Sequence, residues 1–372
     1  MKIRDLKIQN VRNLASTIAE FSSNLNVFTG DNGSGKTSIL EAIYLGLLGK
    51  SFRTNSVSRY IKFNAEKTNV YIEIEDENNN LIDKIGFEKK RSGETLIFLN
   101  GQRLSSNIEI VKKLPILILS PEIETIFEGG PTERRKCIDW LMFHMKPNFY
   151  VEWRKFQQVL NERNALLKQS YVDPVSLKAW NNEFIKSAEI IHTYRYEILS
   201  EWIPYLLRYI QQNTEFSNVF IEYSPGWKCE IPLEQQLKER YPQDKIRGFT
   251  SLGPHRADLE IFVEENTAHK KIAAEQYLSR GEQKLLHATF KLCQAEYIST
   301  EYDKNVVFLY DDFAAELDST HQKWILNRLW ALRSQVFITT PAPSQTIKEI
   351  ISQFQNVKLF HVKQGQLLVE ND

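Results

Sequence analysis

Cysteine is scarce, with three in 372 residues. Cys137, Cys229 and Cys293 stand far apart without a Cys-x-x-Cys pair. That excludes a disulfide scaffold and a cysteine-rich zinc module, and it points to reduced thiols. Net charge is missing too, because 47 Lys and Arg balance 47 Asp and Glu. A general basic coat for nucleic acid is thereby excluded, although a local basic patch is not. No apolar run approaches the ~20 residues of a membrane span. The opening Met1-Lys2-Ile3-Arg4-Asp5 lacks the apolar stretch of a signal peptide. Internal repeats and low-complexity tracts are absent. The expectation is a soluble, intracellular chain. Its hydrophobic fraction of 42% suffices for a core, and its length suggests two or three domains.

Residues 1–28 read as strands, the second of them Leu25-Asn26-Val27-Phe28. It runs into Gly30-Asp31-Asn32-Gly33-Ser34-Gly35-Lys36-Thr37-Ser38, and a helix should follow with Ile39, Ala42, Ile43 and Leu47 as its apolar face. Between 69 and 119 more strands are expected. Val70–Ile74 leads to a polar turn at Asp76–Asn80, and Leu96–Leu99 leads to the hairpin dipeptide Asn100-Gly101. From Gly129-Gly130-Pro131 to about residue 212 the spacing turns helical. Two aromatic-striped segments, with Tyr150, Trp153, Phe156 and Leu160 on one and Leu177, Trp180, Phe184, Ala188, Ile191 and Ile198 on the other, flank the breaker Ser170–Pro174. This predicts an antiparallel helical arm whose stripe is core. Strand signals return at Val219–Ile221, Ala257–Val263, Val306–Tyr310 and Gln335–Ile338. Helices are expected after Leu278 and around 319–332.

Gly30-x4-Gly35-Lys36-Thr37 is a complete P-loop between a strand and a helix. The glycines turn backbone N–H groups inward around phosphate oxygens. Lys36 supplies a point charge for the terminal phosphates, and Thr37 offers a hydroxyl to Mg²⁺. Tyr310-Asp311-Asp312 ends an apolar strand. Asp311 suits the Mg²⁺-holding role, and Asp312 stands where a base could orient the attacking water. Asp311 follows Lys36 by most of the chain, too far for a compact P-loop kinase or small GTPase. Before it comes Leu278-Ser279-Arg280-Gly281-Glu282-Gln283, which resembles the ABC signature and places Ser279, Gly281 and Gln283 at a helix start. Ala315-Glu316-Leu317-Asp318 resembles an ABC D-loop. Two departures stand out. Thr340 occupies the usual position of the switch histidine, and Ser120-Pro121-Glu122 lies where a Q-loop glutamine is expected.

Over essentially its whole length the chain resembles the bacterial RecF recombination mediators, relatives of SMC-type ATPase heads. The resemblance is carried by Ile8–Leu14, Gly49–Thr54, Pro121-Glu122 through Gly129-Gly130-Pro131 to Arg134-Arg135 and Ile138-Asp139, Gly253–Leu259 and Asp311–Asp318. Cys137 departs from the family's usual aromatic. The fold implied is α/β, an ABC-type, SMC head-like P-loop ATPase with mixed sheets around the P-loop helix and an inserted helical arm domain. The head is expected at 1–122 and 250–372, and a mainly helical insertion at 123–249. The resemblance adds Arg12 and Asn13 to the ATP-contacting residues. It implies a weak, DNA-stimulated ATPase using ATP and Mg²⁺ that dimerises on ATP at gapped or junction DNA. RecR and RecO are the implied partners, with RecA loading the outcome and the cytoplasmic nucleoid the location. Lys89-Lys90-Arg91 and Lys112-Lys113 are candidate DNA contacts, with Arg134-Arg135-Lys136 another. A nucleotide-binding subunit of an ABC transporter is the alternative. In that class, however, the signature follows the P-loop much sooner. A metabolic P-loop kinase lacks the signature altogether.

Overall fold

The computed structural model describes the chain apart from residues 77–80, 214–215, 217, 266–269, 314–317, 333, 343–347, 350, 354–355 and 371–372. Most of the expected turn at Asp76–Asn80 and of the D-loop-like segment therefore lies outside the described residues. The chain divides into two compact units, Met1–Ile123 with Ala288–Asp372, and Glu124–His287.

The first unit holds two six-stranded sheets. One is antiparallel, in the order β2-β1-β4-β5-β6-β7. Its strands are β1 (Lys2–Val11), β2 (Leu14–Glu20), β4 (Lys67–Asp76), β5 (Leu81–Lys90), β6 (Thr95–Leu99) and β7 (Gln102–Leu104). Asn100 and Gly101 both have positive φ, 52° and 81°, so the expected hairpin turn closes β6 onto β7. The other sheet runs β15-β14-β3-β13-β12-β8. Here β3 is Leu25–Thr29, β8 Ile116–Leu119, β12 Val307–Tyr310, β13 Gln335–Thr339, β14 Val357–Lys363 and β15 Gln366–Glu370. All its pairings are parallel except β14 with β15. Its central strand β3 is buried throughout, as a strand covered on both faces should be.

Helix α1 (Lys36–Leu48) lies in the core shared by the two sheets. The expected face Ile39, Ala42, Ile43 and Leu47 is buried, but so are Leu40 and Leu45. A helix covered on several sides needs no single apolar stripe. Gly46 lets it close on β4, because a Cβ there would stand 2.6 Å from Ile72 Cδ1 and 2.9 Å from Val70 Cγ1.

The second unit contains α4 (Gly130–Met145), α5 (Phe149–Leu167), α6 (Pro174–Asn213) and α7 (Leu233–Arg247), beside a sheet β11-β10-β9. In that sheet β9 is Val219–Ser224, β10 Asp258–Glu265 and β11 Lys270–Ala273. Short helices complete the order: α2 (Val57–Tyr60), α3 (Ile108–Lys113) and α8 (Ala274–Tyr277). Two longer ones are α9 (Arg280–Tyr302) and α10 (Ser319–Ala331). Ring contacts pair Phe149 with Tyr194 and Phe156 with Phe184, so α5 and α6 run antiparallel as expected. Phe156, Phe184, Ala188, Ile191 and Ile198 are core.

The sequence places the second joint of the insertion at 249/250, whereas the compact unit extends to His287. The reason is that β9 pairs with β10 from Asp258↔Ser224 to Val263↔Val219. Two family-like segments also lock together there. Arg134 makes a two-pronged ion pair with Asp258, at 2.7 and 2.8 Å, and Arg135 donates to the Ala257 carbonyl.

Candidate functional site

Four neighbouring parallel strands, β3, β13, β12 and β8, end at one edge of the sheet. The register sets Tyr310 opposite both Leu119 and Ile338. The next residues, Ser120, Asp311 and Thr339, therefore meet at the C-terminal edge, where open parallel sheets place their ligands. Asp311 is 3% exposed. Its Oδ1 accepts from Thr37 Oγ1 at 2.8 Å and from Thr339 Oγ1 at 2.7 Å, and its Oδ2 accepts from Ser120 Oγ at 3.2 Å. Burial holds its carboxyl above the usual range, and the three hydroxyls oppose that. Asp312 follows with φ 52°, and its N–H donates to Thr339 Oγ1 at 2.8 Å. Asp and Asn tolerate this left-handed conformation better than most residues do.

The loop from Gly30 to Gly35 turns β3 into α1. Gly30 has φ 133°, and a Cβ there would meet the Val362 carbonyl oxygen at 2.3 Å. Gly35 has φ 118° and starts the helix without a side-chain cap or an acidic residue in the first turn. The helix N–H groups are thus left for an anion. Lys36 Nζ donates to the Gly30 and Asp31 carbonyls at 2.6 and 3.0 Å. Burial lowers its pKa, while Asp312, Asp311 and Asp31 raise it. Asn13 straps the loop by donating to the Gly33 carbonyl and accepting from Ser38 Oγ. Ser34 Oγ is buried with no hydrogen-bond partner among the described residues. An orphaned hydroxyl, an uncapped helix start and a lysine resting on its own loop fit a polyphosphate. Thr37 and Asp311, touching through one oxygen each, form an all-oxygen pair suited to Mg²⁺.

A cleft of about 1010 Å³ opens over these residues within the first unit. It is lined by Asn32, Gly33, Gly35–Ser38, Asp311 and Asp312, together with Arg12, Asn13, Arg53, Arg59, Lys62, Phe63, Arg91 and Glu122. Arg12, at φ 52°, grips Glu41 with Nε at 2.7 Å and NH2 at 2.9 Å, and its NH1 donates to the Arg59 carbonyl. Glu41 is fully buried in α1 and also accepts from Ser51 Oγ. Arg53 reaches Glu41 at 4.0 Å and Glu122 at 2.8 Å. One buried carboxylate thus aims two arginines at the cleft rim. Sequence reading missed Glu41 and Thr339, and it marked Ser120 only as standing at the Q-loop position. A lone carboxylate inside an apolar helix, and hydroxyls directly after apolar strands, were the available signals.

Thr340 is buried. Its N–H donates to the Phe28 carbonyl and its hydroxyl to the Ala342 carbonyl. Its side chain is thus spent on the loop and does not line the cleft. At the Q-loop position Ser120 serves Asp311 and Glu122 serves Arg53. The signature residues lie in the second unit and do not line this cleft either. Ser279 caps α9 through a reciprocal box. Its N–H donates to Glu282 Oε2 at 2.7 Å, and the Glu282 N–H donates to Ser279 Oγ at 3.4 Å. Gln283 Nε2 donates to the Leu278 and Glu275 carbonyls. Gly281 is exposed, and a Cβ there would meet nothing among the described residues within 4 Å.

Of the basic candidates, Lys89 bonds the Gly93 carbonyl and Thr95, Lys90 pairs with Glu94, and Lys113 pairs with Asp83. Arg91 donates to the Ala65 and Lys62 carbonyls. Burial, and after it the charge of Lys112, lowers the Lys304 ammonium. Arg134 and Arg135 are tied to Asp258 and Ala257 as described, and Lys136 pairs with Glu133. His255 Nε2 donates to the Thr250 carbonyl, 2.9 Å away. Burial pushes its pKa down to about 4, so it is a neutral turn residue at neutral pH.

A P-loop and a buried Asp at the edge of a parallel sheet, with an antiparallel sheet sharing the core around α1, define an ABC-type P-loop ATPase of the SMC-head kind. The family model for the RecF/RecN/SMC N terminal domain matches residues 2–366. The DNA replication and repair protein RecF of Acinetobacter baumannii is 37% identical over 368 residues, covering 99% of both chains. That of Shewanella piezotolerans is 34% identical over 370 residues, again 99% of both. The solved structure of the recombination mediator protein RecF with ATP, of the RecFOR pathway, superposes with TM-score 0.85 at 26% identity. That match covers 100% of this chain and 98% of the other. An SMC head domain from Pyrococcus furiosus shares the fold with TM-score 0.59 at 17% identity, over 99% of this chain and 96% of the other. The chain belongs to the RecF family of DNA replication and repair ATPases. Among the described residues no helix is long and apolar enough to cross a membrane.

Proposed function

We propose that the chain is an ATP-dependent, DNA-binding recombination mediator that dimerises on ATP at gapped or junction DNA. It works there with RecR and RecO to load RecA, in the cytoplasm at the nucleoid. The observation that carries this reading is the division of labour between the units. The cleft of the first unit holds the phosphate cradle and the Thr37–Asp311 pair, while Ser279, Gly281 and Gln283 sit at an exposed helix start of the second. In this reading a partner copy's signature closes the nucleotide into the cleft.

ATP with Mg²⁺ supplies the polyphosphate charge and the Lewis acid. Thr37 and Asp311 would hold the metal. Lys36 exchanges its loop carbonyls for phosphate oxygens, and Asn13 and Ser38 keep the loop in shape. Arg12 and Arg53, oriented by Glu41, contribute cationic charge at the rim. Asp312 orients the attacking water and accepts its proton, and membership of the family implies slow, DNA-stimulated turnover. The domain reading is a discontinuous head carrying the inserted helical arm. Because net charge is zero, DNA is held by local clusters. Lys112 and Lys113 are exposed and Lys90 is partly so; Lys90 and Lys113 are proposed to exchange their carboxylate neighbours Glu94 and Asp83 for phosphates, with Lys89, Arg91 and Lys112 adding charge beside them.

The test is light scattering with and without ATP and a gapped duplex, together with a salt titration of DNA affinity. Each neutralised phosphate adds about 0.9 to the slope. A dimer appearing with ATP, and a steeper slope in its presence, are expected. A monomer under all conditions, with equal slopes, would refute the ATP-clamp reading.

A further inference from the structure

A second cavity, of about 960 Å³, lies wholly in the second unit, walled by α6, β9 and the segment after β9. Four aromatic rings cluster at it. His192 stacks on Tyr223 at 16° and 6.1 Å, meets Trp227 at 5.1 Å and lies 5.9 Å from Tyr196. Tyr196 is 62% exposed, a large ring left in water, whereas Phe184, Trp202 and Tyr209 of the same helix are buried. His192 Nδ1 is buried with no hydrogen-bond partner among the described residues, and Nε2 reaches only Cys229 Sγ at 3.7 Å. Burial, helped by Arg195, lowers its pKa, so the ring joins the cluster as a neutral aromatic.

The charges around the rings have one dominant sign. Glu222, Glu230 and Glu260 line the cavity against Lys228 alone, and Lys271 already pairs with Glu222. Aromatic faces carry negative quadrupole potential and attract cations. Carboxylates beside them strengthen that attraction and repel phosphate. The volume exceeds one side chain and matches a short segment.

We propose that this cavity docks an arginine-bearing segment of a partner protein, with a guanidinium stacked on Trp227 and Tyr196 and paired with Glu230 or Glu260. Arginine fits better than lysine because its planar, weakly hydrated head stacks on rings while donating to carboxylates. The site is independent of the nucleotide cleft.

Calorimetric titration of the full chain tests this with three probes: a blocked Gly-Arg-Gly-Arg-Gly peptide, its glutamate counterpart, and spermidine. The arginine peptide is expected to bind, and Trp227→Ala and Glu230→Arg should each weaken it about tenfold or more. ATP binding and the circular dichroism spectrum should stay unchanged in both variants. The glutamate peptide should not bind, and spermidine should bind more weakly. No binding of the arginine peptide at millimolar concentration overturns the proposal, as does binding indifferent to both substitutions. Spermidine binding as tightly as the peptide overturns the polypeptide occupant.

Discussion

Around the P-loop most polar groups are engaged within the first unit. Asp311 takes three hydroxyls, Glu41 takes Arg12 and Ser51, and Lys36 rests on two carbonyls. At Ser279–Gln283 in the second unit the bonds are local to the helix start, and Gly281 faces open space among the described residues. The contrast separates two ways of preparing a site. The cradle is held by side chains drawn from strands far apart in sequence, so ordering is paid before the ligand arrives. The signature needs only one helix start, whose exposed groups remain available to a surface the chain itself does not supply.

Lys36→Ala attacks the cradle at its one side-chain cation aimed at phosphate. ATP affinity should fall by about 100-fold or more, since charge-assisted bonds are worth about 1.5–3 kcal/mol each. Equilibrium binding of a fluorescent ATP analogue checks this, and unchanged affinity removes the assignment. Next in size, Asp312→Asn keeps the left-handed backbone that Asn also accepts and loses the carboxylate. Single-turnover hydrolysis should slow by about 10²–10⁴-fold with longer-lived dimers, and full activity would move the base elsewhere.

The two units should also respond to pH with opposite sign. His255, in the second, has a folded pKa of about 4 against 6.5 unfolded. Its contribution is therefore full above 6.5 and lost as pH falls towards 4, by roughly 3 kcal/mol. Asp311, in the first, has a raised folded pKa, so its carboxyl favours the fold at low pH and costs stability as pH rises above 3.8. Urea unfolding between pH 4 and 7 should show a flatter acid limb for His255→Gln. It should also show Asp311→Asn as stable as the parent, or more so, at pH 7 without ligand. Unchanged limbs in both would sink this account.

The smallest effect on the monomer comes from Ser279→Arg. It removes a cap worth about 1 kcal/mol and leaves ATP binding intact, yet it should abolish ATP-dependent dimers. Normal dimers by light scattering would refute a signature acting on a partner copy.

Much of this was legible because local patterns carry it. The P-loop is a contiguous backbone device, β12 is an unbroken apolar run, and the stripes of α5 and α6 repeat at helical spacing. The helix α7 was not legible. Of its fifteen residues only Leu233, Gln236, Leu237 and Asp244 are buried, and Pro242 lies inside it. The hairpin β14–β15 also escaped, because β14 is placed in the sheet by pairing with β3 from the other end of the chain.

The sequence by itself determined the phosphate cradle, the helix that follows it and the capping of α9 by Ser279, since each depends on residues a few positions apart. It also carried the family, through motifs spread over the chain. Tertiary structure alone decided that Ser120 and Thr339 complete Asp311, that Glu41 steers Arg12 and Arg53, and that Thr340 turns away from the cleft. Those contacts follow from parallel register and from a helix enclosed by two sheets. The partners are separated by up to 191 residues, as for Ser120 and Asp311, and no local periodicity records such a distance.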